Sequence, residues 1–198
     1  MIRSGLVLLI LLSACCPTPS APATAGPKPP DPVSRETALA AFETVRAVFQ
    51  HPRCQNCHPA GDTPLQGDDS RVHTQNVQRG PTGTGVPGQE CTSCHGAANL
   101  PASYGEHTPP GTTKPWHMPP PEMRMVFVGI APGALCEQIK DPARNGGRDM
   151  AALRTHLDDP LVTWGWSPGV GRAAIPTPRT DFINAFELWR GAGAPCPN

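Results

Sequence analysis

Apolar residues recur at helical spacing in four stretches of this chain and almost nowhere else. Between Ser34 and Gln50, Leu39, Phe42, Val45, Val48 and Phe49 fall on one face of a 3.6-residue repeat. Ser34 is placed to cap the first turn, and Pro52 stops the helix. The same spacing predicts a helix from Gly133 to Lys140, another from Arg148 to Leu157, and a last one from Asp181 to Arg190. In the last, Phe182, Phe186 and Trp189 form one apolar stripe ahead of Gly191. Alternation with period two is nearly absent. The expected fold is mainly α, with extensive loop and few or no strands.

Ahead of these helices the pattern changes twice. Arg3 precedes an apolar run from Gly5 to Leu12, the arrangement of an export signal, and a bilayer span would need about 20 such residues. The run ends in Leu12-Ser13-Ala14-Cys15, which resembles the lipobox of bacterial lipoproteins, where the Cys is acylated and becomes the new N-terminus. An ordinary cleaved leader, with Cys15 and Cys16 incidental, is the alternative. Residues 16–33 hold seven prolines and almost nothing large and apolar, so they can neither pack a core nor run as a helix. Extended as polyproline II, they reach roughly 55 Å. The expected organisation is a lipoprotein signal peptide at 1–14, a lipidated Pro-rich tether at 15–33 and a folded domain at 34–198. Such a protein is anchored through lipid on the periplasmic side of a bacterial membrane. Cys16, rather than Asp, follows the acylated Cys, which favours the outer membrane.

Composition then exposes a deficit. Aromatic residues make up 5% of the chain, against 27 Pro and 20 Gly, and between Pro59 and Glu90 the sizeable aliphatic side chains are Leu65, Val72, Val77 and Val86 alone. So little apolar volume cannot order that stretch without help. A large planar cofactor supplies the missing surface. The formal net charge is zero, which provides no basic field for a nucleic-acid partner.

The cysteines indicate which cofactor. Cys54 and Cys57 stand in Cys54-Gln55-Asn56-Cys57-His58, and Cys91 and Cys94 in Cys91-Thr92-Ser93-Cys94-His95. C-x-x-C-H is the haem c attachment motif: two thiols add to the haem vinyl groups, and the adjacent His reaches the iron. Two haem c groups are expected, with His58 and His95 as proximal ligands. Four cysteines could instead hold one zinc, but a zinc ribbon has no use for a His directly after both pairs. Disulfides within each pair are the other alternative, although two intervening residues make a tight, redox-active loop.

Sixth ligands are sought among the remaining His and Met residues. His73 lies fifteen residues beyond His58 and is expected to cap the first haem; His117, in Trp116-His117-Met118-Pro119-Pro120, is expected to cap the second. Met125, opening Met125-Val126-Phe127-Val128-Gly129-Ile130, resembles the Met-ligand segment of small mitochondrial-type cytochromes c and is the rival for the second haem. His51 is too near Cys54 to cross its own haem but could serve the neighbouring one. His156 reads as a surface or packing residue of its helix, with ligation as the alternative, and His107 has the weakest claim. If protein fills both axial positions, no site is open to substrate and electron transfer between a periplasmic redox enzyme and a respiratory acceptor follows. A vacant position would instead suggest a dihaem enzyme such as a peroxidase, so whether the chain is an enzyme stays open here. Cys136 and Cys196 remain, and in an oxidising compartment two spare cysteines pair most simply with each other.

Beyond the tether the chain resembles a known family. His51-Pro52-Arg53-Cys54 through His58-Pro59, Val77-Gln78-Arg79-Gly80, Trp116-His117, Leu135-Cys136, Lys140-Asp141-Pro142, Asn145-Gly146-Gly147-Arg148, Trp164 through Gly169 and Gly193 through Pro197 resemble bacterial dihaem proteins labelled isoquinoline 1-oxidoreductase subunits. The resemblance spans about residues 45–197. It implies a haem protein that takes electrons from a molybdenum hydroxylase; the chain itself carries no molybdopterin or iron–sulfur motif.

Overall fold

The structure, a computed structural model, describes residues 32–198. The expected signal peptide, the lipidation site Cys15 and all of the tether before Pro32 lie outside the described residues. What is described is mainly helical, as the apolar spacing indicated.

Helix α1 (Arg35–Phe49) begins at Ser34, whose hydroxyl accepts from the Thr37 amide at 3.1 Å. That bond satisfies one of the amides a helix start leaves unpaired. Its stripe of Ala38, Ala41, Phe42, Val45, Val48 and Phe49 is buried. Most of that stripe packs on α6 (Arg179–Gly191), which presents Phe182, Phe186 and Trp189. Phe42 and Trp189 meet at 5.1 Å between ring centroids, and the Trp189 indole N–H donates to the Pro195 carbonyl at 2.9 Å. Five aromatic side chains in two helices thus supply much of the core.

Pro52 ends α1 but also opens α2 (Pro52–Gln55), a single turn carrying the first cysteine of the first pair, Cys54. The sequence pattern shows only the stop, because a four-residue helix has no periodicity to read. Helix α3 (Pro132–Lys140) leans on α1, and α4 (Met150–His156), capped by Asp149, leans on α6. Next comes the single turn α5 (Pro160–Thr163), capped by Asp159. Cys136 in α3 is bonded to Cys196, sixty residues on, with the Cα atoms 5.5 Å apart. The tail is thereby tied to the helical core.

The chain between α2 and α3 runs as loops, short 3₁₀ turns and two small antiparallel ladders. Strands β1 (Leu65–Gln66) and β2 (Arg71–Val72) pair Leu65 with Val72, and β3 (Gly85–Val86) and β4 (Gln89–Glu90) pair Gly85 with Glu90. In place of an apolar core, one cation holds this region together. The Arg79 side chain is fully buried, donating to the carbonyls of Pro59, Gly61 at 2.9 Å and Pro119. Three loops distant in sequence converge on one guanidinium. Among the described residues no helix is long and apolar enough to cross a membrane.

Candidate functional site

The first C-x-x-C-H sits where α2 unwinds. Amide bonds from Cys57 to the Cys54 carbonyl and from His58 to the Gln55 carbonyl at 3.0 Å wind the motif into consecutive turns. Cys54, Cys57 and His58 are thereby brought to one cleft of about 280 Å³. Its apolar wall comes from all four long elements, through Phe49, Ile139, Leu153 and Phe186 together with Phe127. Phe127 stacks on His58 at 4.1 Å between centroids and on Phe49 at 4.8 Å, and its amide donates to the His58 carbonyl at 2.9 Å. The His58 imidazole is therefore clamped by an aromatic column rooted in α1.

The second motif is a 3₁₀ turn, Cys91–Ser93, with the His95 amide donating to the Cys91 carbonyl at 3.0 Å. It lies nearer the surface: Cys91 is half-buried and Cys94 exposed. His95 stacks on Trp116 at 4.8 Å, and Trp116 meets Trp164 edge-on at 5.0 Å. Arg53, next to Cys54, lies over Trp164. This column of Arg53, Trp164, Trp116 and His95 runs from one motif to the other. The Trp164-to-Gly169 segment is thus packed inside, with Gly165 buried and the Trp166 indole donating to Thr177.

Four imidazoles share one arrangement. The Nδ1 of His58 lies 2.8 Å from the Met125 carbonyl, that of His73 from Thr74, that of His95 from Pro110 and that of His117 from Pro115, each at the same 2.8 Å. A carbonyl only accepts, so every one of these Nδ1 atoms carries the hydrogen, and in the neutral ring the lone pair is then on Nε2. Metal-ligating histidines have this form. Burial lowers the pKa of His58 to about 4 and also lowers that of His95, keeping both neutral and able to ligate. His51 is built the other way round: its Nδ1 accepts from the Arg53 amide at 3.2 Å as the cap of α2. In the neutral ring the hydrogen then sits on Nε2.

The structure separates the sequence candidates further. His73 stands beside the second motif, its ring centroid 6.3 Å from that of His95, whereas the order along the chain suggested the first. His117 lines the first cleft with His58, whereas the order suggested the second. Spacing measures how far a loop can reach, not which way it turns. Met125 belongs to the first motif rather than the second, and its carbonyl is the one that holds His58. Its backbone adopts φ +49 to do so. His156 is no bystander on its helix, for it lines the first cleft 4.0 Å from Asp159. His107 is largely exposed, 4.0 Å from Glu106.

The donor set suits covalent attachment of haem. Burial, with the nearby Cys57 charge, pushes the Cys54 thiol up to about 12, and burial with Cys91 pushes Cys57 up to about 11. Such groups remain thiols near neutrality. All four motif cysteines are free of disulfides. The cleft also holds positive charge. Arg53 and Arg148 line it, and the buried Nε of Arg53 has no hydrogen-bond partner. A buried polar atom left alone costs stability, and haem carries two carboxylates that could partner such a group. Comparison with family models, curated proteins and solved structures finds no match for this chain.

Sequence reasoning missed Arg53, Arg79 and the Trp116–Trp164 contact. The one signal for Arg79 was its position in a stretch with almost no aliphatic side chains.

Proposed function

We propose that this chain is a dihaem c-type cytochrome that carries electrons between a periplasmic redox enzyme and a respiratory acceptor. The observation that carries this reading is the matched state of four imidazoles, two inside C-x-x-C-H motifs and two beside them, all with Nδ1 on a carbonyl and the neutral ring's lone pair on Nε2. Haem c bound here would supply a one-electron iron couple. The protein's own groups do the remaining work. Cys54, Cys57, Cys91 and Cys94 hold the porphyrins covalently, and His58 and His95 are presented as proximal ligands by Met125 and Pro110. Phe49 and Phe127 keep water from the first site.

A second imidazole stands by each motif, His73 near His95 and His117 in the cleft of His58, and two axial imidazoles per haem would favour electron transfer over a peroxidase. The donor would be a molybdenum hydroxylase or another periplasmic dehydrogenase, and a lipid at Cys15 would hold the protein to the membrane, with the outer membrane favoured.

Mass spectrometry and a pyridine haemochrome assay on the matured protein test this. Two haems per chain are expected, both low-spin when ferric and unchanged by cyanide or peroxide. A colourless protein, or a mass of no more than the processed polypeptide and its acyl groups, would overturn the proposal. A high-spin haem that reacts with peroxide would make it an enzyme.

A further inference from the structure

We infer that the two haem sites exchange their distal ligands: His117 caps the group attached at Cys54 and Cys57, and His73 caps the group attached at Cys91 and Cys94. This rests on the haem reading above. Two imidazoles bound through Nε2 to opposite sides of one metal, at about 2 Å per bond, have ring centroids about 6 Å apart. His73 and His95 stand at 6.3 Å, with both Nδ1 atoms turned to carbonyls. Tilt between the rings, 59° here, is free in such a pair, because each plane need only contain its own metal–nitrogen bond.

Backbone contacts show how the chain arrives at this pairing. The hairpin of β1 and β2 starts on the first motif, where the Leu65 amide donates to Asn56 at 2.9 Å. It then delivers His73, whose amide donates to Pro64 at 3.0 Å, to the neighbour of that motif. The segment after the second motif returns the other way. Met118, next to His117, donates its amide to Gly83 at 2.8 Å, and a Cβ on Gly83 would stand 2.1 Å from the Met118 carbonyl. Glycine is therefore required at position 83 for the chain to pass this close to Met118, beside His117. In that cleft the Nδ1 of His117 is fixed by Pro115, while His156 has only Asp159 at 4.0 Å, beyond hydrogen-bond range, and Asp159 is engaged by Lys114.

The consequence is an interlocked pair. Each site is closed by a segment that leaves the other motif, so the spacing of the two groups is set by covalent chain on both sides. A rigid, short separation is what rapid transfer between two carriers needs.

The test uses full-length protein with the second motif disabled, Cys91→Ala with Cys94→Ala, so that a single haem remains. Adding His117→Ala should convert that haem from low-spin to high-spin and let its ferrous form bind carbon monoxide; adding His73→Ala should leave it unchanged. Conversion by His73→Ala, or by neither, overturns the exchange. Should the single-haem chain fail to mature, the dihaem protein answers instead. His58→Ala with His117→Ala should leave half the haem low-spin, and His58→Ala with His73→Ala should leave none. The reverse pattern refutes the exchange, whereas absence of any attached haem refutes the underlying reading.

Discussion

A single nitrogen on each ring separates the candidate ligands, and the backbone decides it. His58, His73, His95 and His117 donate from Nδ1, while His51 accepts there, and no feature of the residue type distinguishes them. Arg79 makes the same point for structure. Nothing in a lone arginine announces a core residue, yet its guanidinium is fully buried and satisfies three carbonyls from two other loops. Replacing it by Leu should cost about 3 kcal/mol, the scale of breaking a buried polar network. A lowered urea midpoint would report this, and an unchanged midpoint would mean that the loops are held by other contacts. The cost should be larger in protein without haem, where Arg79 has less help.

At the scale of elements, the helices announced themselves and the loops did not. Helix α1 was legible because its cap, stripe and stop agree: Ser34, then Phe42, Val45 and Phe49, then Pro52. The hairpins were invisible because a ladder two residues long has no alternation to detect. Between α3 and the C-terminal tail, the Cys136–Cys196 bond closes a loop of about 60 residues, worth about 4 kcal/mol in the chain-entropy model. Reduction should therefore lower the unfolding midpoint measurably without releasing haem, which on the proposed reading would be held by separate cysteines. Two free thiols in the denatured, unreduced, haem-loaded protein would show that this bond does not form.

For the whole molecule, the two sites are unequal. The first lies in an apolar cleft roofed by four helices, with the positive charge of Arg53 and Arg79 felt at Cys57. The second lies nearer the surface, with an exposed Cys94. Oxidised iron carries one more positive charge, and burial among arginines disfavours it. The haem at Cys54 and Cys57 should therefore have the higher potential, by at least the ~59 mV that marks a tenfold preference for one electron. A potentiometric titration of wild type and of the Cys91→Ala, Cys94→Ala chain assigns the two steps, and coincident potentials would contradict it. The more exposed site is then the natural point of contact with a redox partner. What the amino-acid sequence determined by itself is the local chemistry: the attachment motifs, the four long helices and the pair of cysteines left over. These depend on neighbours within a few residues, or on simple counting. Only the tertiary structure decided which imidazole stands by which motif, that Met125 lends a carbonyl to His58, and that an arginine replaces the missing core. A loop's length bounds its reach, whereas its direction is set by the backbone bonds and glycine contacts it meets on the way.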